Sequence, residues 1–317
     1  MSGPSGAGKT ETCKLVLRHL AFVTKHLQDA GSSKSSMELG ALLVMTNPLL
    51  EAFGNAETNL NRNSSRFGKF TQIHVTKSGA ILGASVQTYL LESTRVVAHA
   101  DKNCNYHMFY QLVLGLSSSE KAACKLDSDP NKYAYMRNAT GKATARRGQD
   151  PAEFKESLAV LQKVGVSAGL IASLWETLSG LLMLGNITYG ENANGDAAIQ
   201  DNRVLETASQ LLGCHQALLT QGLTSRTMKL KGSEMQIPLK QDEAGSSRDA
   251  LAKVYIHLAH THTYIYIYIY IYIYIYIERE RERRGGDRGG TRCGERVNSP
   301  LLFCFATVRC LSFRRPY

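Results

Sequence analysis

The octapeptide Gly3-Pro4-Ser5-Gly6-Ala7-Gly8-Lys9-Thr10 fits the pattern G-x-x-x-x-G-K-S/T at every fixed position. This spacing confines the local fold to a tight glycine loop that runs straight into a helix. Glycines let the backbone turn back on itself, so that successive N–H groups converge and form a cradle for phosphate oxygens. Lys9 then reaches toward the outer phosphates, and the Thr10 hydroxyl is placed to ligate Mg²⁺. The helix that follows points its positive N-terminal end at the same anion. The bland alternative for these residues is a Gly/Ser-rich loop that binds nothing.

A second segment sharpens the reading. Asn61-Arg62-Asn63-Ser64-Ser65-Arg66-Phe67-Gly68-Lys69 follows about fifty residues later, preceded by Asn47-Pro48-Leu49-Leu50-Glu51-Ala52-Phe53-Gly54-Asn55-Ala56. Further strings keep a fixed order: Tyr89-Leu90-Leu91-Glu92 with Arg95-Val96-Val97, then Asn105-Tyr106-His107-Met108-Phe109-Tyr110-Gln111-Leu112. Leu184-Gly185-Asn186-Ile187 and Arg248-Asp249-Ala250-Leu251-Ala252-Lys253 complete the series. Together these strings closely resemble the myosin motor head over roughly residues 1–255, with Asn61–Lys69 matching its switch I loop. The chain is similar to a piece of an unconventional myosin head.

The resemblance implies roles residue by residue. Lys9 would contact the β and γ phosphates of ATP, within a loop formed by Gly3, Ser5, Gly6, Ala7, Gly8 and Thr10. Thr10 and Ser65 would be the protein ligands of Mg²⁺, and Asn61 and Asn63 would lie on the phosphate side of switch I. Ser64 would help position the attacking water or relay its proton, and Arg66 would pair with a glutamate of the switch II loop. These residue types suit phosphoryl transfer, which rests on positioning and charge neutralisation. Pro4 stands where most members of the family carry Glu, and it removes one backbone donor from the lip of the loop.

Other parts of the family pattern find no match. Only Met1 and Ser2 precede Gly3, where a strand and an adenine-contacting segment are expected, and no D-I-x-G-F-E-like switch II string occurs. Arg66 therefore lacks a recognisable partner in the sequence. The expectation is a helix-rich α/β fragment: a partial P-loop NTPase motor domain without its first strands or switch II half, and inactive as a motor by itself. Actin filaments are the partner implied by the resemblance. Light chains are not expected, because no neck is recognised, and the implied location is the cytoplasmic actin cytoskeleton.

The family pattern breaks after Val254-Tyr255, and His260-Thr261-His262-Thr263 gives way to seven Tyr-Ile pairs, Tyr264–Ile277. Glu278-Arg279-Glu280-Arg281-Glu282-Arg283 follows. Through the genetic code these are the dinucleotide repeats CACACA, TATATA and GAGAGA, which points to a simple-sequence DNA tract such as an intron read in frame. Residues 256–317 are thus expected to be a repeat-derived tail, Gly/Arg-rich and disordered after Arg284. The period-two alternation of Tyr264–Ile277 predicts a flat, uncharged strand prone to edge pairing. At fourteen residues it is too short for a transmembrane helix of roughly 20 residues. His257, His260 and His262 share the repeat context and are not read as metal ligands.

The formal charge of +10 divides at this boundary, since residues 260–317 hold ten Arg against five acidic residues. The remaining surplus is that of an ordinary basic protein, and no nucleic-acid motif with interleaved aromatics accompanies it. Cys13, Cys104, Cys124 and Cys214 show no C-x-x-C pairing, so neither a zinc site nor a disulfide framework is indicated. No signal peptide is recognised.

The coarse elements are a helix over Thr10–Leu27, a polar loop over Gln28–Ser36, and a second helix ending near Phe53. Strands over Phe70–Thr76 and Ala80–Tyr89 are predicted to pair as a hairpin across Lys77-Ser78-Gly79. Tyr106, Phe109, Tyr110 and Val113 form one apolar helical stripe, and Leu170, Leu174, Leu178 and Leu181 another; both are read as core, with Trp175. Asp127–Asn131 and Tyr189–Asp196 are read as loops. Three functional readings stand: the ATP-binding part of an actin motor, a chain that binds Mg–nucleotide weakly or not at all, and a product that fails to fold. A different phosphate-loop enzyme is disfavoured by the switch I match.

Overall fold

The computed structural model describes residues 3–4, 6–26, 44–75, 81–143, 149–230 and 233–283. The polar loop over 28–36, the hairpin turn at 77–79 and the chain after Arg283 lie outside the described residues. Helices dominate, as expected, and the sheets among the described residues are four antiparallel pairs.

Helix α1 spans Lys9–His26 and emerges directly from the glycine loop. The short α2, Asn47–Gly54, begins with a proline in its first turn, where the missing N–H costs nothing. From Gly54 the chain enters β1 (Asn55–Ala56), which pairs antiparallel with β2 (Ser64–Ser65). A hairpin follows, β3 (Gly68–Val75) against β4 (Ile81–Tyr89), in the predicted pairing.

The core is built around α3 (His107–Gly115), whose Met108, Phe109, Tyr110, Leu112 and Val113 are all buried, with Tyr106 just before it. It packs against α2 and against α5 (Asp150–Lys163), after the small capped helix α4 (Ser118–Ala123). Helix α6, Ala168–Gly185, buries Leu174, Trp175, Leu178 and Leu181, so that the second predicted stripe is core as well; Leu170, at its start, is half-buried. By length and composition α6 could cross a membrane, yet its apolar residues are spent on packing against α7 (Asn202–Leu212) and α9 (Gln241–Arg283). Tyr189–Asp196, read as a loop, contributes strand β5 (Tyr189–Glu191), which pairs with β6 (Ala197–Ile199). Only the Asn192–Asp196 turn between them is loop, closed by Asn192 Oδ1 accepting from the Asn194 and Asp196 amides. Likewise Pro130–Lys132, overlapping the end of the other predicted loop, forms a turn of 3₁₀ helix. Helix α8 (Gln216–Thr224) then leads into the hairpin β7 (Ser225–Leu230) and β8 (Ser233–Pro238).

The last helix, α9, corrects one expectation. It runs unbroken over Gln241–Arg283, so the Tyr-Ile stretch is helical and not a strand. The physical reason is continuity: the repeat contains neither Gly nor Pro to stop a helix already nucleated and packed, and elongation is cooperative. Packing also continues past Tyr255, for Ile256, Ala259, His260 and Thr263 are buried. Helix α1 forms where a helix is predicted, and several of its apolar side chains are open to solvent: Val16 and Leu20 are 45% and 36% exposed, and Leu15 and Phe22 each 60%.

Candidate nucleotide site

The glycine loop turns sharply at Gly6 and Gly8, whose φ angles of 81° and 79° lie in the left-handed region that L side chains avoid. Ala7 N–H donates to the Pro4 carbonyl across the turn (3.3 Å), and the Thr12 N–H and hydroxyl both donate to Gly8 O (2.8 and 2.9 Å). The loop is thereby welded to the first turn of α1. Lys9 Nζ donates back to the carbonyls of Gly3 and Pro4, the latter at 2.6 Å.

The second motif reaches this loop through β2. Ser65 pairs with Asn55 and Ser64 with Ala56, and Arg66 N–H donates to Gly54 O (2.9 Å). A cavity of about 470 Å³ opens between the motifs, lined by Gly6, Ala7, Gly8, Lys9, Thr10 and Glu11 on one wall. The facing wall is Asn61, Asn63, Ser64, Ser65, Arg66 and Phe67. Two segments about fifty residues apart in sequence thus form one site, of a size typical for a small-molecule ligand. Gly3 does not line it, and Ser5 lies outside the described residues.

The donor set suits a magnesium-bound polyphosphate: backbone N–H groups of a glycine loop, one ammonium, and the Thr10 and Ser65 hydroxyls on opposite walls. Oxygen ligands from hydroxyls, completed by water and phosphate, are what Mg²⁺ prefers. Among the described residues no cluster of three His, Cys, Asp or Glu side chains could hold a metal by itself.

The profile of the family described as myosin head (motor domain) matches residues 1–267. The chain belongs to the myosin head family. It is 37% identical over 260 residues to the myosin IA heavy chain of Dictyostelium discoideum, an alignment covering 80% of this chain and 26% of that protein. It is 36% identical over 265 residues to Myosin-1 of Emericella nidulans, with 81% and 21% covered. Unconventional myosin heavy chain 6 of Caenorhabditis elegans is 35% identical over 266 residues, with 81% and 12% covered. The chain therefore spans about a quarter or less of the length of these relatives.

Within this partial myosin head, Arg66 does have a partner. Its Nε lies 3.3 Å from Glu92 Oε2, a carboxylate in one of the matching strings. Arg95 shares that carboxylate, at 3.0 Å, and donates from Nη1 to Cys104 O. The expectation of an unpartnered Arg66 is corrected on this point, because β4 carries Glu92 back beside β2: Glu92 N–H donates to Arg66 O (2.9 Å).

Four further residues, Lys14, Glu51, Asn55 and His107, hold the site without appearing in either nucleotide motif's assigned roles. Lys14 pairs with Glu51 (2.6 Å), and Glu51 accepts from Asn63 Nδ2 (2.8 Å). His107 Nε2 lies 3.2 Å from Asn63 Oδ1, which also accepts from Asn55 Nδ2 (2.9 Å). Burial lowers the Lys69 pKa, an effect that the Glu51 carboxylate opposes. A signal for Glu51 was present: it is the one charged residue in the eight-residue helix Asn47–Gly54.

The remaining matching strings are structural. Asn105, fully buried, donates from Nδ2 to Val96 O and Tyr135 O (2.9 and 2.7 Å). Arg248 donates to Ile187 O (2.8 Å), joining α9 to the end of α6. Phe67 meets His260 of α9 edge-on, with ring centroids 5.0 Å apart, so the last helix supports the back of the Asn61–Lys69 segment.

Proposed function

We propose that this chain is the ATP-binding portion of an actin-based motor head, its cavity taking Mg–ATP between the phosphate loop and switch I. The observation that carries the reading is the convergence of Lys9 and Thr10 with Asn61, Ser64 and Ser65 on one cavity. In this reading the backbone of Gly6–Lys9 and the Lys9 ammonium bind the phosphates, and Thr10 and Ser65 hold Mg²⁺. Bound Mg²⁺ would neutralise charge developing on the transferred phosphoryl group. Ser64, only 2% exposed, would orient the attacking water from the switch I side. Arg66 would lend its charge there, in competition with Glu92. Actin as the track, the cytoplasmic location and a repeat-derived origin of residues 256–317 belong to the same proposal, although Ile256, Ala259, His260 and Thr263 of that stretch pack with the rest of the chain.

A second reading, in which nucleotide binds weakly and no turnover follows, has its own support. Lys9 Nζ is engaged by two loop carbonyls, and binding must release it. Titration of the full chain with a fluorescent ATP analogue in Mg²⁺ separates the two. Submillimolar affinity that Lys9→Ala reduces about 100-fold supports the first; no saturable binding supports the second.

A further inference from the structure

We propose that Glu51 is a positioning residue that holds the two walls of the cavity in register. This inference rests on the nucleotide-site reading above. Glu51 does not line the cavity, so its action is through neighbours. Its carboxylate forms an ion pair with Lys14 Nζ at 2.6 Å and accepts a hydrogen bond from Asn63 Nδ2 at 2.8 Å. Lys14 lies one helical turn beyond Thr10, on the same face of α1, since residues four apart are neighbours. Asn63 immediately precedes Ser64 and Ser65. One carboxylate therefore spans from the helix that carries the phosphate loop to the loop that carries switch I.

The surroundings strengthen the link. The Glu51 and Lys14 side chains are 18% and 15% exposed, which shields their attraction from solvent. Glu11 adds a second carboxylate to Lys14, at 2.8 Å, and itself lines the cavity. The Asn63 amide is engaged at both ends, by Glu51 on its nitrogen and by Asn55 and His107 on its oxygen. Its backbone N–H donates to Asn61 Oδ1 at 2.9 Å, which fixes a second cavity residue. Glu51 itself sits on a helix whose Leu49, Leu50, Ala52 and Phe53 are buried, so the anchor is rigid. Helix α1, whose apolar face is open, depends on this polar tie for its placement more than a buried helix would.

The test is Kd for a fluorescent ATP analogue in Mg²⁺, measured on the full chain as wild type, Glu51→Ala, Glu51→Gln, Asn63→Ala and the Glu51→Ala/Asn63→Ala pair. Each alanine variant is expected to weaken binding roughly tenfold, and the double variant no more than the worse single one, since both cut the same link. Glu51→Gln keeps an acceptor for Asn63 and should recover part of the loss, which a purely structural role would not require. Amide hydrogen exchange supplies a readout independent of ligand: Glu51→Ala, or Glu51→Gln should alanine fail to fold, is expected to speed exchange in residues 9–14 and 61–66 and not in α6. Unchanged affinity and unchanged exchange in the Glu51 variants overturn the proposal, as do losses that multiply in the double variant. If wild type binds no nucleotide, the site reading fails, and the exchange result still decides the role of Glu51.

Discussion

Arg66 and Glu92 form an ion pair of 3.3 Å, and the same carboxylate lies 3.0 Å from Nε of Arg95. The two arginines depend on it unequally. Arg66 is 27% exposed and its pair is worth little, as partly solvated pairs are. Arg95 is 4% exposed, and removing its counter-charge leaves a buried guanidinium uncompensated. Glu92→Ala is therefore expected to cost about 2 kcal/mol and Arg66→Ala under about 1 kcal/mol, read from urea unfolding midpoints. Equal costs would contradict this division.

Gly54 ends α2 where Phe67 crosses it, and a Cβ there would stand 2.2 Å from the Phe67 ring. Gly54→Ala should destabilise the chain by about 1–3 kcal/mol through overpacking. Because Phe67 also lines the cavity, the same variant should weaken nucleotide binding, while a stabilising result would mean that the ring moves freely.

Burial pushes the His260 pKa down to about 4, with His257 adding to the effect. The neutral ring is the form that folds, so the unfolded chain binds the extra proton between pH 6.5 and 4. Stability is accordingly expected to be full above about pH 6.5 and to fall as pH drops toward 4, by up to about 3 kcal/mol from this residue. His260→Phe, which keeps a ring against Phe67, should flatten that dependence in thermal unfolding followed across the window. An identical slope in the variant would remove His260 as the cause.

Ser65 faces the cavity with Thr10 on the opposite wall. If both ligate Mg²⁺, Ser65→Ala should weaken nucleotide binding about tenfold in Mg²⁺ and little in EDTA. The magnesium dependence of Kd in the two proteins decides this, and equal losses in both buffers would reassign the hydroxyl.

Much of the site was legible because its chemistry is local. Gly6 and Gly8 are needed for a left-handed turn, and motif spacing alone carries Lys9 and Thr10 to the cavity. Apart from the half-buried Leu170, both predicted core stripes are buried, because helical period and burial coincide in α3 and α6. What escaped is pairwise and long-range. Nothing in the order of residues says that Glu92 folds back on Arg66, or that Glu51 lies between Lys14 and Asn63. Period misled in one place: the Tyr-Ile alternation reads as a strand although the chain enters it as an established helix.

The central claim is that the phosphate loop and switch I form one Mg–nucleotide site. It is tested most directly by titrating the full chain and its Lys9→Ala variant with a fluorescent ATP analogue in Mg²⁺. Saturable binding by wild type that falls about 100-fold in the variant is the predicted result. Equal binding by the two proteins would contradict the assignment of this cavity.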